Sequence, residues 1–124
     1  MKPLIIAALI IGGAITVVMS CKYDDVVIVQ PAHISFSQDI IPIFNASCNT
    51  SGCHNGAGPV PNLTASAAYG SLWEASLIDT LQPTNSQLYQ WVSGQKGLPM
   101  PPEGVNDQYV ARILQWIDEG AQNN

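Results

Sequence analysis

Seven residues, CNTSGCH from Cys48 to His54, set two thiols five positions apart and place an imidazole directly after the second. Thiols add across the vinyl groups of a porphyrin to give thioethers, and an adjacent imidazole is then carried beneath the iron. A cysteine pair followed at once by histidine is therefore an attachment pattern for c-type haem. The usual pattern leaves two residues between the cysteines, whereas here four intervene, Asn49 to Gly52. The extra pair must loop out, and Gly52 can take the positive φ that such a loop requires. Two other chemistries fit the same residues. In an oxidising compartment Cys48 and Cys53 can form a plain disulfide. A zinc site needs a fourth ligand beside Cys48, Cys53 and His54, and the chain offers His33 or a carboxylate such as Asp39.

A haem iron that carries electrons takes a second axial ligand, and a thioether sulfur in that place favours the reduced state and raises the potential. Of three methionines, Met1 and Met19 fall in the N-terminal apolar run, which leaves Met100. It sits in LPMPP, where Pro99, Pro101 and Pro102 restrict the backbone on both sides and leave the loop little freedom to lose on ligation. The alternatives are a surface methionine in a polyproline-like turn, and ligation by His33, a lone histidine ahead of the first expected helix.

The leader decides which compartment is available. Residues 3–19 carry no charge, Lys2 precedes them and Ser20-Cys21 ends them. That order of basic start, apolar middle and small residue is the build of a secretory signal. A spanning helix is the rival reading, weakened by Gly12-Gly13. The segment VMSC resembles the lipobox of bacterial lipoproteins, which implies lipidation at Cys21, with Val18 in place of the commoner leucine and Met19 larger than usual. The following KYDD resembles the acidic surface-export signal of Bacteroidetes lipoproteins. The expected division is a signal peptide over 1–20, a lipidated tether over 21–35 and one domain over 36–124, at the cell envelope on the periplasmic side or the outer surface.

Without residues 1–20 the chain keeps three cations, Lys22, Lys96 and Arg112, against nine acids, a balance of minus six. Nucleic acid requires a basic stripe that three scattered positives cannot supply. About a hundred residues bury only a modest core.

The elements that must position the site read as an all-α domain of about four short helices. In SFSQDIIPIFNASC, Phe36, Ile40, Ile41 and Phe44 recur at helical spacing, with Ser37 or Asp39 as N-cap; Asp39 leaves Pro42 three residues in, and Ser37 would bend the first turn. SAAYGSLWEASL, residues 66–77, predicts a second helix with Tyr69, Leu72 and Trp73 near one face. SQLYQWVSG, residues 86–94, predicts a third, capped at Asn85 or Ser86 and closed by Gly94. Asn106 caps the last, DQYVARILQWIDEG, where Val110, Ile113, Leu114 and Ile117 form one face and Gly120 stops it. The run Val26 to Val29 is β-prone but has no partner strand and ends at Pro31. Four short helices and two long Gly/Pro-rich loops offer one another little apolar surface. A flat apolar macrocycle would fill the middle.

DIIPIFNASC, GCHN, the MPP loop and ILQWIDEGA together resemble the mono-haem class I cytochrome c domain, of the lipoprotein type found in Bacteroidetes and related bacteria, over residues 36–121. The resemblance implies a small bundle packed around one covalent haem c, held by Cys48 and Cys53, with His54 and Met100 on the iron. It implies that the first and last helices cross, bringing Ile40 and Phe44 towards Leu114 and Trp116. It also implies that a proline carbonyl, from Pro59 or Pro61, accepts the second N–H of the His54 ring. Trp73, Trp91 and Trp116 are expected in the core or along the haem crevice, and Glu103 and the Asp118-Glu119 pair on the solvated surface.

The function this implies is one-electron transfer rather than enzymatic turnover, and no small-molecule substrate is required. A negative surface calls for redox partners with a basic patch and for association that weakens with salt. The competing readings are a haem-bearing subunit of a larger respiratory or oxidative complex, a five-coordinate haem sensor or enzyme, and a haem-free structural lipoprotein with a Cys48–Cys53 disulfide. No Ser/His/Asp arrangement suggests a nucleophilic mechanism.

Overall fold

The computed structural model describes residues 28–124. The leader, Cys21 and the start of the tether lie outside the described residues. Among those described, no helix is long and apolar enough to cross a membrane, and all regular structure is helical, as the spacing predicts. Helix α1 covers 36–48, α2 Ala68–Glu74, α3 Gln87–Val92 and α4 Asp107–Asp118, with one tight turn of 3₁₀ helix at Pro83–Asn85.

Helix α1 is built around Pro42. Regular turns at Ile41–Ile43 are flanked by wide turns at Phe36–Ile40 and Phe44–Cys48. In these, N–H groups donate five residues back, Ile41 to Phe36 and Asn49 to Phe44. A proline ring crowds the carbonyl four residues before it and brings no N–H of its own, and widening the helix relieves both defects.

The start of α1 corrects the expectation of Ser37 or Asp39. The cap is Ser35, whose Oγ accepts the Gln38 N–H at 3.2 Å while Asp39 Oδ2 accepts the Ser35 N–H at 2.8 Å. The far end of the chain supplies the remaining acceptors: Asn124 takes the Phe36 N–H on Oδ1 at 2.7 Å and the Ser37 N–H on its backbone oxygen at 2.9 Å. Unpartnered N–H groups of a first turn can be met from anywhere in the fold, so this helix begins earlier than its own sequence suggests.

Helix α4 ends where its sequence says. Asn106 Oδ1 accepts the Tyr109 N–H at 3.1 Å. At the other end Gly120 has φ +96°, and the N–H groups of Gly120 and Ala121 donate back to Ile117 and Trp116 at 3.0 and 2.8 Å. That pair of bonds closes the last turn through a residue in the left-handed region, which glycine enters without strain.

The core forms where α1 meets α4. The Phe36 ring lies 5.0 Å from Trp116, 5.4 Å edge-on to Tyr69 and 6.3 Å edge-on to Phe44. Ile40, Phe44, Ile113, Trp116 and Ile117 are buried around them. Each such side chain contributes about 1.5–3 kcal/mol by leaving water, and edge-to-face ring pairs add about 0.5–1.5 kcal/mol. Leu114 is only half-buried, whereas its neighbour Ile113 is fully buried. Trp73, expected inside, is exposed at the end of α2.

The segment before α1 is tied down on α4. Gln115 Nε2 donates to the Pro31 carbonyl at 3.1 Å, the Ile34 N–H donates to Glu119 Oε2 at 2.9 Å, and the Ile34 side chain is buried. Glu119 is therefore more than solvated surface. The Ile34 N–H, then the Gln115 amide, hold its carboxyl below the usual carboxylate range.

Candidate functional site

A cavity of about 380 Å³ opens between the end of α1, one face of α3 and two proline-bearing loops. Cys48, Cys53, His54 and Met100 all line it, although Met100 lies 46 positions beyond His54. Leu63, Leu77, Leu88, Trp91 and Val92, with five residues of the two proline-bearing loops, make up most of the remaining wall. Its size falls within the roughly 300–1,000 Å³ of small-molecule and cofactor sites. Apart from Cys48, Cys53 and His54, no titratable side chain lines it.

Each candidate ligand is fixed by its backbone. Cys48 closes the last wide turn of α1 and is buried; burial, then the neighbouring Cys53, pushes its thiol up to about 11. The four residues after it turn tightly: Gly52 has φ +81°, the Cys53 N–H donates to the Thr50 carbonyl at 2.9 Å, and Thr50 Oγ1 donates to Cys53 Sγ at 3.3 Å. The looping-out expected of the longer spacer is thus met at Gly52. Asn49 Nδ2 pins this turn by donating to Asn45 Oδ1 at 2.7 Å and to the Leu63 carbonyl at 2.9 Å. His54 is clamped at both ends: its N–H donates to the Cys48 carbonyl at 2.9 Å and its carbonyl accepts the Leu63 N–H at 2.7 Å. Met100 is tied to α3, donating its N–H to the Trp91 carbonyl at 3.1 Å.

Of the two prolines expected near His54, Pro59 makes the contact, its carbonyl oxygen 3.2 Å from His54 Nδ1. A carbonyl can only accept, so this pairing places the proton on Nδ1 and leaves the lone pair of Nε2 free for a metal. Gly58 makes the short loop possible. A Cβ there would run into the Cys53 carbonyl, and the Gly58 N–H donates to the Asn55 carbonyl at 3.0 Å. Gly58 was not singled out in the sequence, where NGAGPVPN reads only as a long Gly- and Pro-rich loop. The face of α3 was more legible, because Leu88, Trp91 and Val92 stand at spacings of three and four.

The other ligand sets do not assemble. Cys48 and Cys53 are free thiols. Among the described residues no group of three or more His, Cys, Asp or Glu is placed to hold a metal ion. Asp39 is engaged at the start of α1, and His33 stands 90 % exposed beside Glu119, 4.0 Å from its carboxylate and outside the cavity lining. Comparison of the chain with protein-family models, with curated proteins and with solved structures gave no match.

Proposed function

We propose that the chain is a one-electron carrier of the cell envelope, a c-type cytochrome domain anchored by a lipid on Cys21. The observation that carries this reading is the convergence of Cys48, Cys53, His54 and Met100 on one carbon-lined cavity, from the end of α1 with the turn that follows it and from a loop distant in sequence. Cys48 and Cys53 would hold haem c as thioethers, and His54 and Met100 would be its axial ligands. Once bound, haem c supplies an iron that passes between ferrous and ferric states by one electron.

The chain's own residues do the rest. Pro59 fixes the His54 tautomer and ring orientation. The wall of Leu63, Leu77, Leu88 and Val92 excludes water and, lacking any carboxylate, Lys or Arg, favours whichever redox state has the lower net charge. Pro101 and Pro102 stiffen the Met100 loop, so neither ligand needs to move when an electron enters or leaves. No polar constellation for a substrate stands in the cavity. Nine acids against four Lys and Arg point to redox partners with a basic face.

The test is an absorption spectrum, oxidised and reduced, of protein matured in a host with a haem-attachment system, read beside its intact mass. The expected result is one covalent haem with a low-spin spectrum that changes reversibly on reduction. His54→Ala should mature poorly. A bare polypeptide mass from a competent host would refute the proposal.

A further inference from the structure

A second cleft, of about 400 Å³, lies beside the cavity and shares two wall residues with it, Ser47 and Pro101. Its floor is the turn after Met100, closed by the Gly104 N–H donating to the Pro101 carbonyl at 3.1 Å. Val105, 46 % exposed, and Tyr109 from α4 give it an apolar flank, and Glu103, also exposed, gives it a carboxylate. The start of α4 also borders it, which by itself would favour an anion. Asn106 already fills one of those N–H groups, however, and Asp107 sets a carboxylate in the same first turn. Neither Lys96 nor Arg112, the two Lys or Arg side chains among the described residues, lines the cleft.

An apolar flank with a carboxylate at its margin suits a long aliphatic stem that ends in a positive charge. We infer that this cleft is the docking point for a lysine or arginine side chain of the redox partner, with Glu103 as its counter-charge. The inference rests on the electron-carrier reading for its purpose. A cation seated there would bring the partner to within one residue, Pro101, of the Met100 ligand. The site would also set specificity, because a partner with an acidic face would meet Glu103 and Asp107 directly.

Two measurements on the matured full-length mature chain test it. In the reduced protein, titration with hexaamminechromium(III) should broaden the NMR signals of Val105, Tyr109 and Ala46 first, and Glu103→Gln should abolish that preference. Oxidation of the ferrous protein by the cationic tris(phenanthroline)cobalt(III), one electron passing from iron to cobalt, should slow by roughly fivefold in Glu103→Gln at low salt. The rate with anionic ferricyanide should hold or rise. Broadening centred on another acidic region such as Asp118, or a Glu103→Gln variant that matches wild type with the cationic reagent, would overturn the inference while leaving the haem reading intact. A colourless product would instead remove the haem reading, and the chromium titration would still judge the cleft.

Discussion

If the main cavity holds haem c as proposed, its volume gives a quantitative prediction for the haem-free chain. Enclosed apolar voids cost about 24 cal/mol per Å³, so 380 Å³ sets an upper limit of about 9 kcal/mol. The mouth is open and water can enter, so the expected penalty lies below that limit. A small domain commonly has about 5–15 kcal/mol of stability in all. The proposed thioether links would add to the difference by constraining the unfolded chain. The mature sequence prepared without haem attachment should therefore lie at the margin of unfolding, whereas the attached form should unfold cooperatively. Urea unfolding at 25 °C, followed by far-UV circular dichroism on both preparations, measures the gap. A haem-free chain within about 2 kcal/mol of the attached form would refute the idea that this cavity is built around an occupant. A Cys48→Ala, Cys53→Ala double variant made in the attaching host should behave like the haem-free chain.

Three further outcomes are expected. Met100→Ala should keep covalent haem but lower the reduction potential by on the order of 0.1 V, within the roughly 0.8 V that axial ligation spans, and the ferrous form should bind carbon monoxide; potentiometry and a carbon monoxide difference spectrum check both. Gly58→Ala drives a methyl group into the Cys53 carbonyl, so it should cost about 2 kcal/mol or more and reduce haem yield, read from urea midpoints and the ratio of haem to protein absorbance. Because the folded carboxyl of Glu119 titrates below the ordinary 4.5, its contribution to stability is complete above that pH and is lost as pH falls through the lower folded value. Denaturation midpoints between pH 6 and 3 should thus fall more steeply for wild type than for Glu119→Gln.

The parts of the fold that were legible in the sequence are those fixed by neighbours along the chain. Asn106 and Gly120 close α4 through bonds within three to five residues, and both ends lie where the sequence put them. The start of α1 was not legible, because half of its capping comes from Asn124, some 88 positions away. Trp73 stands at the expected helical spacing with Tyr69 yet faces outward, since periodicity locates a face but not which of its members a short helix can cover. At the site, Cys48, Cys53, His54 and Met100 could be singled out by their residue types and the prolines around Met100, and all four line one cavity. The choice of Pro59 over Pro61 was not, because it depends on a backbone path that Gly58 alone permits. The cleft at Glu103 left no motif at all: it arises from two walls, the end of α1 and the start of α4, that meet only in three dimensions.

The attachment of residues 31–34 to α4 bears on how the domain would take a pull from its N-terminal side. Tension applied upstream of Pro31 passes through the Gln115 and Glu119 contacts into α4, and no residue of α4 lines the main cavity. If the chain is held from its N-terminal side, as the proposed lipid on Cys21 would hold it, a pull on the leash would meet these two contacts before it reached the first turn of α1.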